Sequence, residues 1–304
     1  MNRLTGYVTI TTISFISGIL VMKDYSNGAM RESPLIAAKH LYDMDNQKQR
    51  VIFDVDSIQQ LKSQGFVIFH NILTSEEIDN SRKDVMLMLN NETKLKFYDN
   101  GHDNESIRSD KVSWIAETIG ESQHQYVLPS LLLVLRILRS IPESLLQNNF
   151  GTNSNLGVPY SNQLSIYFNT GTNYVAHLDK PNTNRTLYSR ILQSGLHDRR
   201  YTIVLYLNSE QWTNKAINRD GDLVTDSGSL RITKLNGEVI DIEPRGGTVV
   251  IFDSSSILHE VRPNYGLDRI AITCWVGGSN SKNKWLRNLN IPIDEYNWKH
   301  IFGL

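Results

Sequence analysis

The sequence predicts a mainly β protein, a sandwich or barrel of antiparallel strands buttressed by helices from its N-terminal half. Two patterns indicate this class. Apolar residues recur at helical spacing up to about Leu146, and short β-branched and aromatic runs follow one another from Gln163 onward. The length agrees, because 304 residues can bury a substantial core and β units of about 200 to 250 residues commonly fold as one domain.

The composition limits the partners that the chain can have. Lys and Arg total 31 and Asp and Glu total 32, so the formal net charge is -1. This balance gives no general attraction to phosphate backbones, and we expect no nucleic-acid partner. Cys274 is the only cysteine and lies in an apolar run, so we expect a packed core thiol, and an internal disulfide is excluded.

Residues 1–50 differ from the rest of the chain. Segment 7–22 is apolar and uncharged and lies between Arg3 and Lys23, but it is shorter than the about 20 residues of a membrane-spanning helix. It predicts a signal anchor with membrane attachment, a cleaved signal or a transit sequence, which favours the secretory pathway with its ER membrane, or a plastid. The alternative is an apolar strand or helix docked on the domain. Residues 23–34 are polar and predict a linker.

The folded domain is expected over residues 51–280, with a C-terminal extension over 281–304. Thr74, with Glu77 three residues later, is typical of a capping box that begins a helix. The first part of the domain predicts, in chain order, a helix over Ser57–Ser63, a strand over Gly65–Phe69, a helix from Thr74 to about Leu89 and a helix within Gln125–Leu146.

The second part of the domain predicts antiparallel strands. Turn signals such as Asn236-Gly237 separate short runs that are rich in β-branched and aromatic residues. These runs are Leu164–Phe168, Tyr201–Leu207, Ser229–Ile232, Val239–Ile242, Thr248–Phe252 and Arg269–Val276.

A possible metal site begins with His177 and Asp179, which are two positions apart and so lie on one face of an extended chain. Alone, this pair is most often a surface coincidence. His259 supplies a second histidine after the run Thr248–Phe252, and two histidines with one carboxylate are the ligand set of non-haem Fe(II) oxygenases. Arg269, ten residues later, can clamp a carboxylate by a bidentate ion pair. The conjunction favours a site over separate turn and surface residues.

Eight segments occur in an order typical of one known family: Gly65–Leu73, Asp110–Trp114, Tyr167–Asp179, Thr202–Asn208, Ser229–Ile232, Asp241–Pro244, His259–Val261 and Arg269–Trp275. From about Val51 to Val276 the chain thereby resembles the prolyl 4-hydroxylase branch of the Fe(II)- and 2-oxoglutarate-dependent oxygenases, and within it the hypoxia-factor prolyl hydroxylases. The resemblance implies a double-stranded β-helix (jelly-roll) core buttressed by N-terminal helices.

The resemblance also implies the catalytic centre. His177, Asp179 and His259 would be the iron ligands, and Arg269 would pair with the far carboxylate of 2-oxoglutarate beside the hydroxyl of Tyr206. Fe(II), 2-oxoglutarate and O2 would be the cofactor and cosubstrates, with ascorbate as the supporting reductant. The implied reaction is oxidation of an unactivated C–H bond, with release of succinate and CO2.

Further positions match the pocket of the family and a loop that closes over it. The pocket would include Tyr167 on the cosubstrate side and Tyr174 and Trp275 on the substrate side, unless these residues belong to the ordinary core of the barrel. A mobile loop, here about residues 95–109, would be fastened by a charge network of Arg108, Asp110 and Arg199.

The sequence departs from the family in a long basic stretch between Asp179 and the strand near Tyr201. Such a stretch is usually a solvated loop, but its cations can instead bind an acidic small molecule. The stretch contains Lys180, Arg185, Arg190, His197, Arg199 and Arg200. Candidate substrate residues are Arg199 and Arg200 of this stretch, together with Tyr174, Trp275 and Asp110, which the resemblance implies.

Three functional hypotheses follow from the resemblance and the departures. The first is an oxygenase that hydroxylates a carboxylate-bearing, amino-acid-like small molecule or closes a ring in it. Algal kainoid synthases, which close a pyrrolidine ring on a prenylated glutamate, are oxygenases of this superfamily. The second is a peptidyl-prolyl 4-hydroxylase acting on a proline-containing protein. The third is a jelly-roll binding protein without catalysis, which has no evident need for the metal ligands and Arg269.

Overall fold

The computed structural model describes residues 50–90, 96–99, 107–115, 128–147, 162–180, 199–234 and 236–277. Its helices are α1 (Val55–Gln64), α2 (Ser75–Leu89) and α3 (Pro129–Gln147). Its strands are β1 (Phe66–Phe69), β2 (Tyr98–Asp99), β3 (Lys111–Ile115), β4 (Asn162–Tyr167), β5 (Thr172–His177), β6 (Arg199–Tyr206), β7 (Ala216–Ile217), β8 (Leu223–Val224), β9 (Leu230–Thr233), β10 (Val239–Ile242), β11 (Val249–Asp253), β12 (Leu258–Asn264) and β13 (Arg269–Gly277). Every helix and strand predicted from the sequence is present, with small shifts at the ends.

Local sequence determines where the first two helices begin and end. Asp54 accepts a hydrogen bond from the Ser57 N–H at 2.8 Å and so caps α1. Gly65 ends α1 with φ +81°, a left-handed conformation that favours glycine. The predicted capping box of α2 is confirmed, because the Glu77 N–H donates to Thr74 Oγ1 at 3.3 Å and the Thr74 N–H donates to Glu77 Oε2 at 2.9 Å.

Two antiparallel sheets confirm the predicted fold class. The major sheet has the strand order β1-β11-β6-β13-β4-β3-β2, and the minor sheet has the order β10-β9-β12-β5. One core cluster joins the helices to the major sheet and includes Ile203 and Leu205 of β6. The other joins the two sheets and includes Val204 and Tyr206. Along β6, alternate residues therefore face the helices and the minor sheet.

The strands that sequence reasoning missed lie mainly where the chain is half-buried. They are β3, β5, β12 and the short strands β2, β7 and β8. β12 reads Leu-His-Glu-Val-Arg-Pro-Asn, and its buried positions alternate with exposed or intermediate ones over most of its length. A strand with one solvated face needs no continuous apolar run, so β5 and β12 lack the signal that identified the strands of the major sheet.

Several predictions fall on residues that lie outside the described ones. They concern the N-terminal segment and linker up to residue 49, the C-terminal extension over 281–304, positions 181–198 of the basic stretch and positions 100–106 of the loop. The domain limits therefore stay predictions. In the described part of the chain, no helix is long and apolar enough to cross a membrane.

Candidate metal and cosubstrate site

The two histidines of the site lie opposite each other in the minor sheet. His177 ends β5 and is the register partner of His259 in β12, and their ring centroids are 4.2 Å apart. Each Nδ1 lies close to a backbone carbonyl two residues earlier, at 2.8 Å from Val175 O and 3.1 Å from Ile257 O. When Nδ1–H donates to these carbonyls, each Nε2 keeps a lone pair for a metal.

The carboxylate of the group comes from beyond the end of β5. Asp179 Oδ1 lies 3.7 Å from His177 Nε2, and its Oδ2 lies 3.6 Å from His259 Nε2. One ligand atom from each residue lies within 4.8 Å of the others, so this group can hold a metal ion. Two imidazoles and one carboxylate leave coordination positions open on a six-coordinate ion.

The electrostatics of the group suit a divalent cation. Burial lowers the pKa of His177 to about 4, and the adjacent His259 lowers it further. Burial acts to raise the pKa of Asp179, but His259, Arg199 and His177 together bring it below its usual range. At neutral pH the group therefore presents a neutral His177 imidazole and an ionised Asp179, the protonation states that bind metal.

Arg269 forms a second pocket at the start of β13. It is 2% exposed, and its guanidinium lies 4.9 Å from the Tyr167 ring centre and 5.0 Å from that of Tyr206. Its Nη2 donates to the Tyr206 hydroxyl over a long 3.4 Å, and within the described residues its Nε has no hydrogen-bond partner. A buried cation with so few polar partners is destabilising. The pocket therefore fits an anionic group that is supplied by a ligand.

Arg199 and two aromatic rings adjoin the metal-binding group. Arg199 Nη1 donates to the Asp179 backbone carbonyl at 3.3 Å, and its guanidinium lies 3.8 Å above the Trp275 ring. The ring of Tyr174 stacks on His177 at 3.7 Å. Burial lowers the pKa of Arg199 to about 10, against the opposing effect of Asp179, so the guanidinium is charged at neutral pH.

The predicted charge network around the loop is formed only in part. Asp110 is 1% exposed, and its two carboxylate oxygens accept from Arg108 at 2.7 and 2.6 Å. Arg108 also lies 4.4 Å above the Tyr174 ring. Arg199, however, contacts Asp179 and not this pair. Asp110 therefore pairs with Arg108 from a buried position, and its contact with a substrate stays a prediction.

Arg200, another predicted substrate residue, does not face the metal-binding group. Its side chain is 53% exposed, and its Nη1 lies 3.6 Å from Asp253 Oδ2. The pairing of β6 with β13 shifts between Val276 and Gly277, which lies opposite Arg199. This bulge turns Arg199 toward the metal-binding group and leaves Arg200 outside, because an extra residue in a strand changes which side chains face inward.

Sequence reasoning missed two hydroxyl groups of the site. Thr202 Oγ1 donates to Asp179 Oδ2 at 2.6 Å and lies 2.9 Å from Ser254 Oγ. Thr202 shares one face of β6 with Tyr206, four residues later, so strand alternation was a signal that could have found it. Ser254 follows β11 in a turn, where no periodicity marks it.

The strand-rich part of the chain matches the model of a known family. The model of the 2OG-Fe(II) oxygenase superfamily matches residues 162–277, which include the metal-binding group and Arg269. This match places residues 162–277 in the superfamily. Fe(II) and 2-oxoglutarate are the cofactor and cosubstrate of these oxidoreductases, and the donor set of the group and the uncompensated Arg269 cation fit them.

The chain is similar to prolyl 4-hydroxylase-like members of this superfamily. It is 26% identical over 239 residues to a hypoxia-inducible factor prolyl hydroxylase of Caenorhabditis elegans, a match that covers 75% of this chain and 29% of that protein. The chain therefore spans less than a third of the length of this relative.

Two solved structures share the fold. A prolyl-4-hydroxylase of Pseudomonas putida has a TM-score of 0.51 and 22% identity, with 73% of this chain and 97% of that chain covered. A prolyl hydroxylase of Trichoplax adhaerens, in complex with a peptide of the hypoxia-inducible factor oxygen degradation domain, has a TM-score of 0.53 and 24% identity, with 73% and 87% covered.

Proposed function

We propose that this chain is an Fe(II)- and 2-oxoglutarate-dependent dioxygenase that oxidises an unactivated C–H bond of a carboxylate-bearing, amino-acid-like small molecule. The product would be hydroxylated or ring-closed, as in kainoid formation, with release of succinate and CO2. The observation that carries this proposal is the inward-facing, partly buried cation Arg199, which lies beside the metal-binding group.

In this proposal His177, Asp179 and His259 hold Fe(II), and Arg269 pairs with the far carboxylate of 2-oxoglutarate beside Tyr206. The bound iron, with 2-oxoglutarate and O2, supplies the oxidation of the C–H bond, while the protein supplies binding and orientation. The Nδ1–H groups of both histidines hold the imidazoles in the tautomer that leaves Nε2 free.

The charges near the metal explain why Arg199 would select an acidic substrate. Arg108 is balanced by Asp110 through two short hydrogen bonds. The Asp179 carboxylate would be balanced by the metal, so it would no longer compensate Arg199. That guanidinium then has charge available for a substrate carboxylate, which it can bind by charge-assisted hydrogen bonds. Trp275 fixes the plane of the guanidinium from one side.

Orientation of the substrate follows from the same residues. A carboxylate held by Arg199 would place the neighbouring carbon atoms toward the metal-binding group, since Arg199 already contacts Asp179. The rings of Tyr174 and Trp275 would cover the apolar part of the substrate and exclude water. Positioning of this kind lowers the barrier because the reacting atoms are held close together before the reaction begins.

A second candidate function is peptidyl-prolyl 4-hydroxylation, which the similarity to hypoxia-inducible factor prolyl hydroxylases favours. The aromatic rings of Tyr174 and Trp275 would then enclose the pyrrolidine ring of a proline. In that case a cation at Arg199 would not be needed to neutralise a substrate carboxylate, and removing it should affect acidic and neutral substrates alike.

Succinate formation tests these candidates. The full chain is incubated with Fe(II), ascorbate, O2 and 2-oxoglutarate, together with acidic amino-acid derivatives, including N-prenylated glutamates, or with proline-containing peptides. We expect stimulation by an acidic derivative, with mass spectrometry separating hydroxylation from ring closure. Stimulation by proline peptides alone favours the second candidate. The absence of iron-dependent succinate with every compound favours a binding protein without catalysis.

Arg199→Gln and Arg200→Gln form a matched pair of variants, because the two arginines are adjacent but only Arg199 faces the metal-binding group. We expect Arg199→Gln to raise KM for the acidic substrate by at least about tenfold, the effect of losing one charge-assisted interaction. We expect little change for the methyl ester of the same substrate. Arg200→Gln should behave like the unmodified protein, and equal effects of both variants would contradict the proposal.

A further inference from the structure

We propose that the hydroxyls of Thr202 and Ser254 act as a positioning pair that holds the Asp179 carboxylate in its metal-binding orientation. The inference rests on the metal site proposed above. It assigns a role to two buried polar residues that the proposed chemistry does not otherwise use.

Asp179 needs such support more than the two histidines do. His177 and His259 lie on paired strands, where the ladder between β5 and β12 fixes their backbones. Asp179 follows the end of β5, so no ladder of the minor sheet holds it. Its carboxylate can turn about the side-chain bonds unless other groups fix it.

The major sheet supplies this support from β6 and from the turn after β11. Thr202 Oγ1 lies 2.6 Å from Asp179 Oδ2, and Ser254 Oγ lies 2.9 Å from Thr202 Oγ1. The Ser254 backbone carbonyl accepts from the Lys180 N–H at 2.8 Å. The same turn therefore holds both the chain next to Asp179 and, through Thr202, its carboxylate.

The positions of the protons determine the direction of the hydrogen bonds that the two hydroxyls form. An ionised carboxylate only accepts hydrogen bonds and a hydroxyl has one proton, so Thr202 donates to Asp179. Ser254 must then donate to Thr202. Thr202 is 1% exposed and Ser254 0%, so bulk water cannot easily replace either hydroxyl. Aligned hydrogen bonds strengthen one another, and the outer hydroxyl therefore supports the inner one.

The pair predicts an ordered series of metal affinities. Loss of a group that orients a metal ligand typically weakens metal binding by about 10- to 100-fold, and we expect this for Thr202→Val, which keeps the shape and removes the hydroxyl. Ser254→Ala removes only the outer link and should have a smaller effect. In the Thr202→Val background, Ser254→Ala should add nothing, because its effect passes through Thr202. Thr202→Ser retains the hydroxyl and should rescue binding.

The test is the Kd for Mn(II), a redox-inert stand-in for Fe(II), measured by titration of the metal-free full chain without 2-oxoglutarate or substrate. Thr248→Val is the matched control, since Thr248 is a buried threonine next to β11 whose hydroxyl lies 3.4 Å from His70 Nδ1 and not at the site. Thermal unfolding of each metal-free variant shows whether it is folded.

The possible outcomes separate this inference from the proposed function. Mn(II) binding that Asp179→Ala abolishes and Thr202→Val leaves unchanged overturns the positioning role and leaves the metal site standing. No Mn(II) binding by the unmodified chain overturns the metal site and the inference together. If Thr202→Val does not fold, Ser254→Ala decides: a Kd equal to that of the unmodified chain overturns the role, and a weaker Kd supports it.

Discussion

The major and minor sheets differ in how much of their surface is covered by the rest of the protein. The two sheets also contribute different residues to the site. The major sheet packs against helices on one face and against the minor sheet on the other, and its residue Leu205 is fully buried. The minor sheet carries ion pairs of partly exposed residues, in which Arg231 contacts Asp226, Asp241 and Glu260.

The site lies where these two environments meet. The minor sheet provides the half-buried His177 and the buried His259. The buried major sheet provides Arg269 and Thr202, polar groups whose hydrogen bonds gain strength away from water. The comparison teaches that a metal-binding group and an anion pocket can be neighbours although their side chains come from different sheets.

The largest effect is expected from Asp179→Ala, which removes the only carboxylate among the proposed metal ligands. Turnover should be abolished, because two imidazoles alone bind Fe(II) weakly and leave its charge uncompensated. The measurement is 2-oxoglutarate-dependent succinate formation under saturating Fe(II). Asp268→Ala, at a partly exposed carboxylate that accepts from the Asn169 N–H at 3.0 Å, is the control and should be fully active. Full activity of Asp179→Ala would contradict the assigned site.

Arg269→Ala should show the contribution of the major sheet to the site. Loss of one partner of a buried charge pair costs about 2 to 5 kcal/mol, so the KM for 2-oxoglutarate should rise at least about 30-fold. Arg269→Lys should restore it only in part, since an ammonium cannot form the bidentate pair. The measurement is the 2-oxoglutarate dependence of turnover. An unchanged KM in Arg269→Ala would mean that another residue binds the cosubstrate.

The effect of a substitution on the free energy of unfolding should also differ between the two sheets. Leu205→Ala opens a cavity in the covered sheet and should reduce the free energy of unfolding by about 2 to 5 kcal/mol. Arg231→Gln, in the partly exposed ion pairs of the minor sheet, should reduce it by about 1 kcal/mol or less. Denaturant unfolding measures both changes. Equal losses of unfolding free energy would contradict the difference in burial between the two sheets.

The smallest expected effect is the pH-dependent contribution of an ion pair that lies outside both sheets. Hydrogen bonds from Arg50 lower the pKa of Glu77 from 4.5 to about 2. Because the pKa is lower in the folded state, the pair stabilises the fold above pH 4.5 and its contribution is lost as the pH falls toward 2. Glu77→Gln should therefore reduce the free energy of unfolding at pH 7 by about 1 kcal/mol or less, since both side chains are partly exposed.

The pH dependence of that difference provides the check. Unfolding of the unmodified protein and of Glu77→Gln is measured between pH 7 and pH 2, and the two stabilities should converge below pH 4.5. A difference that does not change with pH would mean that the ion pair with Arg50 does not cause it.

The sequence predicted the covered parts of the molecule better than the half-exposed parts. The strands with β-branched and aromatic runs, such as Val249–Asp253, were found because burial on both faces leaves a continuous apolar signal. The strands that carry His177 and His259 were missed, although the histidines themselves were selected through their spacing and the family resemblance. The outward orientation of Arg200 could not be predicted, because the bulge opposite Gly277 depends on strand pairing, which local sequence does not reveal.

The most direct test of the account is whether the two sheets form one site. Binding of 2-oxoglutarate to the full chain is measured by calorimetry without O2, with and without Mn(II). The account predicts that Mn(II) tightens 2-oxoglutarate binding at least about tenfold, since the keto acid would then contact the metal as well as Arg269, and that Asp179→Ala removes this gain. Binding of 2-oxoglutarate that is independent of the metal would contradict a shared site.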